Sequence, residues 1–397
     1  MNSISDERRD ICIIGGGASG LAAAVEAGMA GFGHRVILLE KRRGTGSKIC
    51  ASGNGRCNLS NETCHDVRLT LEFFGRIGVL TRTDEAGRIY PYSEEAADVE
   101  RALRTAAERL GVAVLVNTAV TGLEKDDGGF TVTAETTRDG KKEIRFIPAK
   151  KVLVATGGKA APKLGTTGDG YTMARKLGHR VNSPVPVLTA IEVTENVSVL
   201  SGVREKARAS LFRDGKCIFC EDGEVQFTRD SLSGICIFNM SRFLKLGKGK
   251  TLKDGFKEYE IYLDFMPEFS PAQVEDFLRE QGERGLRGES ALNSVVKEKL
   301  ARAVAERIFS DENPARQMKA LKFTPKMPKG WETAQVTRGG VALSEVDGIT
   351  MESKKVPGLY FAGEVLDYDG PCGGFNLNHA WITGIKAGRG LCTEFSR

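Results

Sequence analysis

The sequence has no apolar run reaching the roughly 18 residues a membrane-spanning helix needs. Its first residues, MNSISDERRD, are polar and charged and lack the apolar core of a secretory signal. Neither sign of charge dominates. The 57 Lys and Arg face 52 Asp and Glu, a net of +5, with one local run at Lys41-Arg42-Arg43. Such a balance gives no electrostatic case for a nucleic-acid partner. Nine cysteines are an odd number scattered over a long chain, so no disulfide framework is expected, and a reducing cytoplasm is the expected compartment. Cys217 and Cys220 form a C-x-x-C with no second pair after it; Cys236 is the nearest other thiol, and a zinc site is not expected. Internal repeats and low-complexity tracts are absent.

What is present is a soluble composition, 41% hydrophobic and 27% charged, on 397 residues, enough for two or three domains. The chain is organised around Asp10 to Asn61. Ile11, Ile13 and Ile14 supply an apolar strand. Gly15, Gly17 and Gly20 fill the places of G-x-G-x-x-G, where the first glycine makes the turn, the second admits a pyrophosphate and the third lets helix pack on strand. A helix is predicted from about Ala18 to Ala30, its free N–H groups facing the phosphates. A second strand, Val36–Leu39, ends at Glu40, placed to take ribose hydroxyls. Strand, turn, helix, strand and acid in this order read as a dinucleotide-binding unit of an α/β fold.

A stretch rich in Gly, Ser and Asn follows Glu40 and reads as one long functional loop. Helices are predicted over Arg68–Ile77, from Ser93 through Leu110 with Ser93 as cap, and over Asp169–Gly178. Gly87–Ser93 reads as a turn-rich piece and Val112–Val116 as a third buried strand. Val120–Pro148 reads as a β-meander with turns at Asp126–Gly129 and Arg138–Gly140, and Val152–Ala155 as a core strand. The character shifts near Pro184-Val185-Pro186. Short strands dominate first, then a polar helical stretch over about 270–310 broken at Gly282 and Gly285–Gly288. The chain returns at Val336–Gly340. A strand then ends in Ala362-Gly363-Glu364, a loop runs from Asp367 to Asn378, and a helix from Ala380 to Cys392.

Two glycine-rich elements at opposite ends of the chain suit FAD better than NAD. The first holds the adenylate half. Gly373 and Gly374 allow backbone to approach a flat ring, and the helix after Asn376 points free N–H groups at it. Tyr368 and His379 are the candidate catalytic residues, since both lie beside this ring motif. Tyr90 and Tyr92 are further phenols, and Arg338 and Arg88 candidate carbonyl or carboxylate partners. Cys57 and Cys372 fall in the flavin loops without a secure partner thiol. His34, His65 and His179 are assigned to surface turns.

The segments GGGASG (Gly15–Gly20), SGNGRCNLSN (Ser52–Asn61), VATGG (Val154–Gly158), LYFAGEVLD (Leu359–Asp367) and GGFNL (Gly373–Leu377) carry a resemblance over the full length. The sequence resembles a family of FAD-binding oxidoreductases that includes aminoacetone oxidase and flavoproteins reducing unsaturated 3-oxo bile acids. Fumarate reductase and ketosteroid dehydrogenase flavoproteins are more distantly similar. The resemblance implies a Rossmann-type, glutathione-reductase-like FAD domain made of residues 1–188 and 336–397. Into it, residues 189–335 insert a β-barrel-like domain with a helical lid. It also implies that Glu40 takes the ribose and that Lys48, Arg56, Cys57 and Asn58 lie along the FAD. Val120 would meet the adenine through its backbone, and Thr156 and Gly157 would flank the pyrophosphate. Gly363, Glu364 and Asp367 fall near the ribityl chain, and Gly373, Gly374, Phe375, Asn376, Leu377 and Asn378 near the ring. Ala18, Ser19, Lys41, Gly53 and Ala155 complete this set. Asn378 stands where a Gln is also expected among relatives.

The expected activity is reduction of an activated C=C in a lipophilic enone, steroid- or bile-acid-like, with NAD(P)H docking transiently because no second G-x-G-x-x-G exists. The expected partner is a small molecule, with no nucleic acid and no membrane span. An oxygen-using amine or aminoketone oxidase, an RNA-modifying flavoprotein and a flavin carrier without turnover are the alternatives.

Overall fold

Strands that are buried on both faces read as short continuous apolar runs. Ile11–Ile14 and Val36–Leu39 are such runs, with every residue buried. The computed structural model describes residues 10–138, 141–245, 256–309 and 313–393. The turn at 139–140 and the end of the helical stretch at Ser310 therefore lie outside the described residues. The chain divides into two units, Met1–Val185 with Val336–Arg397, and Pro186–Gln335.

The first unit is built on a five-stranded parallel sheet. Its spatial order is Leu359–Phe361, Lys151–Val154, Ile11–Ile14, Val36–Leu39 and Ala113–Leu115. The register aligns the carboxyl ends. Ile14 lies between Leu39 and Val154, Val154 beside Phe361, and Leu39 beside Leu115. Gly15, Glu40, Ala155 and Ala362 thus leave the sheet from one row, and ligands of open α/β sheets bind outside that row. Ala113–Leu115 is half-buried at the sheet edge rather than a buried strand. The meander is present as Thr118–Asp126, Gly129–Arg138 and Lys141–Ala149.

The helix after the glycine turn runs over Ala18–Ala27, and a wider turn then carries the chain over Gly28–Phe32. Against it lies the helix Phe375–Cys392. A Cβ on Gly384 would sit 2.4 Å from the Ser19 carbonyl oxygen, and one on Gly388 2.7 Å from that of Ala23. Two glycines one turn apart therefore let the backbones touch. This last helix starts at Phe375, five residues before the sequence-based expectation, with Gly374 as N-cap. Helix Val67–Arg76 fits the reading, whereas Ala96–Arg109 begins three residues after Ser93, with Glu95 at its N-cap. The piece read as turn-rich contains the strand Arg88–Pro91, which pairs with Ser60–Asn61 and Thr81–Thr83. Tyr and Ile in it favour a strand, while its Gly and Pro sit at the ends where they do little harm.

The second unit has its own hydrophobic core. Its seven-stranded sheet runs in the order Leu321–Phe323, Tyr259–Asp264, Arg204–Arg213, Lys216–Phe227, Ser231–Ser233, Ile191–Val193 and Pro325–Pro328. The two outermost strands are consecutive in sequence, with Thr324 alone between them. Two residues span at most about 7 Å, so the edges meet and the sheet curls into a barrel-like form. Helices Pro271–Glu283, Glu289–Leu292, Glu298–Phe309 and Pro314–Lys319 lie in the chain between Tyr259–Asp264 and Leu321–Phe323. Gly282 does not interrupt the first of them. Ser270 opens that helix with a reciprocal capping box to Gln273. Among the described residues no helix is long and apolar enough to cross a membrane.

Candidate active site

The row of strand ends places the glycine turn first. The Gly15 N–H donates to the Leu39 carbonyl at 2.8 Å, with Gly15 at φ 108°. A Cβ on Gly20 would stand 1.9 Å from the Gly15 carbonyl oxygen, so the third glycine is sterically required. A Cβ on Gly17 would meet nothing within 4 Å, leaving open space where the fingerprint places a pyrophosphate. Glu40 accepts from the Gly16 N–H and the Arg42 N–H, both at 2.8 Å. Its own carbonyl takes the Thr118 N–H at 2.8 Å, which ties Glu40 to the start of the strand Thr118–Asp126 that carries Val120.

The stretch after Glu40 is more ordered than the loop reading held. It contains the helix Ser47–Ala51, a tight turn over Ser52–Gly55 and the strand Ser60–Asn61. Gly46 N–H donates to Gly16 carbonyl at 2.8 Å and ties this stretch to the glycine turn. Gly53, Asn54, Gly55 and Cys57 all have positive φ, which is uncommon for the two non-glycine residues. Lys41 pairs with Asp169 at 2.6 Å and donates to Thr167 at 2.7 Å. Arg56 is exposed, and its guanidinium lies over the Tyr90 ring at 4.9 Å.

Glu364 joins the two ends of the chain. It pairs with Lys48 at 2.6 Å and accepts from the Thr337 N–H at 2.9 Å, while its carbonyl takes the Tyr171 hydroxyl at 3.3 Å. Ser19 Oγ donates to the Ala362 carbonyl at 3.1 Å, and Gly363 N–H to Thr383 Oγ1 at 2.9 Å. Asp367 accepts from Asn182 at 2.5 Å. Ala155 N–H donates to the Ile14 carbonyl at 2.9 Å, which holds Ala155, Thr156 and Gly157 beside the glycine turn.

Several candidate residues are committed to the chain itself. Asn376 grips the Gly370 backbone in both directions, accepting its N–H at 2.8 Å and donating to its carbonyl at 2.9 Å. Asn378 is buried, accepts from Ser60 Oγ at 2.8 Å and Thr70 Oγ1 at 2.7 Å, and donates to the His65 carbonyl at 2.9 Å. With its amide turned to suit its neighbours, Asn58 donates to the Ser60 carbonyl at 2.7 Å and accepts from Gly374 N–H at 3.1 Å. Trp381 Nε1 donates to the Leu59 carbonyl at 3.0 Å. Ser60, Thr70 and Trp381 were not singled out in the sequence; their partners lie some 310 to 320 positions away, beyond any local pattern.

Cys57 is fully buried, and burial pushes its thiol up to about 12, which leaves it inert. Arg88 pairs with Asp84 at 2.9 Å. His179, expected at a surface turn, is buried, with Nε2 2.7 Å from Ser353 Oγ. Tyr368 and His379 do come together. Their rings stack with centroids 4.0 Å apart and planes 15° from parallel. His379 Nε2 is sealed from solvent with no hydrogen-bond partner among the described residues. Burial, and secondarily Lys386, press its pKa down to about 4, so the imidazole is neutral at pH 7. Arg338 is half-buried on the strand Val336–Val341, and Cys217 and Cys220 are exposed on Lys216–Phe227. Among the described residues no three His, Cys, Asp or Glu gather as a metal site.

Residues 64–390 match the family described as the HI0933-like protein Rossmann domain. The chain belongs to the HI0933-like family. Residues 10–68 match an FAD binding domain. The chain is 35% identical to a 3-dehydro-bile acid delta(4,6)-reductase of Clostridium scindens, over 96% of this chain and 98% of that protein. It is 28% identical to a ribosomal RNA dihydrouridine synthase of Escherichia coli, over 94% and 96%. Among solved structures, the open conformation of a flavocytochrome c3 fumarate reductase is similar at TM-score 0.53 and 19% identity, covering 98% of this chain and 78% of that one. That last likeness concerns the fold alone. The HI0933-like chain is an FAD-dependent oxidoreductase, and the open space at Gly17, at the carboxyl ends of the parallel strands, suits the dinucleotide.

Proposed function

We propose that this HI0933-like protein reduces a carbon–carbon double bond conjugated to a carbonyl. The observation that carries this reading is the 35% identity, nearly end to end, with a bile acid reductase. The dihydrouridine synthase relatives favour a second substrate of the same chemistry. The uracil C=C that becomes saturated in dihydrouridine is also conjugated to a carbonyl. A lipophilic enone is the first reading and a uracil in RNA the second; the mild net charge of +5 favours the first.

Once bound and reduced by two electrons, FAD would supply a hydride to the carbon β to the carbonyl and return to its oxidised form. The residues expected along it are those of the glycine turn, Glu40, Lys41, Lys48, the 53–58 turn, Val120, Ala155–Gly157, Gly363–Asp367 and Gly373–Leu377. Asn376 and Asn378 act by shaping backbone. Tyr368 holds the proton for the α-carbon and recovers it from solvent. His379, neutral and flat against that ring, positions the phenol. NAD(P)H supplies the electrons, and residues 189–335 form the substrate domain.

The test is anaerobic. The FAD-loaded protein is reduced with NADH or NADPH, then mixed with a steroid dienone or with unmodified ribosomal RNA. Re-oxidation by the dienone supports the first reading and by RNA the second. Bleaching by amines, with peroxide formed in air, overturns both in favour of an oxidase. Tyr368→Phe slows re-oxidation by about 10²–10⁴-fold while leaving flavin reduction unchanged; an unchanged re-oxidation rate removes Tyr368 from the role.

A further inference from the structure

The strand Lys141–Ala149 lies at one edge of the three-stranded meander, and no described strand pairs with its outer side. It is nine residues long, and it carries Ile144 and Phe146 at 64% and 70% exposure. Long edge strands with exposed apolar residues are templates for another strand. The opposite row, Arg145 and Ile147, is half-buried.

We propose that this edge pairs antiparallel with the same edge of a second copy, about a two-fold axis at Ile144. A two-fold antiparallel pair must set one residue opposite itself, so few registers exist. Centring on Lys142, Glu143 or Arg145 sets like charges directly opposite each other, which destabilises a pair. Centring on Phe146 brings Pro148, which has no N–H, opposite Ile144 inside the ladder. Centring on Ile144 sets Ile against Ile, Glu143 against Arg145 twice, and Lys142 against Phe146 twice. Glu143 and Arg145 already reach each other within one chain at 3.0 Å, and both side chains are partly exposed, so each is free to turn to its counterpart across the axis. The occupant is a second copy because the charge pattern is complementary to itself in this register alone.

The test is sedimentation of the full FAD-loaded chain and of two single charge reversals, E143R and R145E. Both sites are on the surface, and an unchanged flavin spectrum certifies the fold. The wild type is expected to dimerise, and each reversal to weaken the dimer about tenfold or more. Mixing the two variants restores association, because the paired arginines of the first then face the paired glutamates of the second. A wild type that stays monomeric up to about 100 μM overturns the proposal. So does a dimer insensitive to both reversals, or a mixture that fails to recover.

Discussion

Asn378 offers the sharpest test of how the two ends of the chain are joined. Its amide makes three hydrogen bonds inside the fold, and both hydroxyl donors, on Ser60 and Thr70, are fully buried. Asn378→Ala removes all three. At about 1 kcal/mol net per bond, and more for groups left unsatisfied, the expected loss is about 2–4 kcal/mol. Asn378→Asp keeps the acceptor for both hydroxyls but turns a carboxylate oxygen toward the His65 carbonyl. It should cost at least as much at pH 7. Because burial and that carbonyl favour the protonated acid, its stability should recover as the pH falls, whereas Asn378→Ala shows no such gain from this site. Urea titrations read by release of the flavin report on the first unit. An Asn378→Ala midpoint within about 0.5 kcal/mol of the wild type refutes the reasoning. Lost FAD affinity with unchanged stability would instead assign Asn378 a direct contact with the cofactor.

His379 should make the fold acid-sensitive. Its folded pKa of about 4 lies below the unfolded value of about 6.5. As pH falls through that window the unfolded chain takes the proton first, so stability drops by up to about 3 kcal/mol. His379→Phe keeps an aromatic face for Tyr368 and should reduce the fall of urea midpoints between pH 6.5 and 4, leaving contributions of the same sign from buried His179 and from carboxylates such as Asp10 and Glu345 whose cationic partners hold them low. Parallel curves for variant and wild type refute this. Gly20→Ala forces a Cβ to within 1.9 Å of the Gly15 carbonyl oxygen and should yield protein without bound FAD, read by the absorbance ratio of flavin to protein. Glu26→Gln weakens a buried carboxylate's bonds to Arg76 (2.6 Å) and Arg389 (2.8 Å) and should cost about 1–3 kcal/mol in urea.

The first half of the site was legible because its signals are local. Two short apolar runs, three glycines and an acid fall within thirty residues, and each fixes its own backbone. In the insert the sequence showed short strands ahead of a helical stretch, but not the strands Leu321–Phe323 and Pro325–Pro328 that follow it and complete the sheet. What stayed hidden depends on distant partners. The order in the 47–61 stretch comes from Gly16, Ile89 and the last helix. Local composition, rich in Gly and Asn, points to loop. Asn376 and Asn378 look like ligand-facing amides in sequence, and only the folded chain shows Gly370, Ser60 and Thr70 taking them. His179 sits two residues before a strand and reads as a turn residue until Phe361 and Ser353 close over it.

The parallel sheet is finished late. Lys151–Val154 waits for its neighbour Leu359–Phe361 until some 205 further residues have been made. At about 5–20 residues per second, that is about 10–40 s on a ribosome. During that time the glycine turn exists without Glu364, Asn378 or Trp381 to brace it. The inserted unit has a core of its own and can mature in the interval. A chain cut short within the insert would carry the dinucleotide fingerprint without the strand Leu359–Phe361 that completes its sheet or the helix Phe375–Cys392 that packs on its first helix. Retention of the yellow cofactor is therefore expected only of chains whose synthesis reached the last helix.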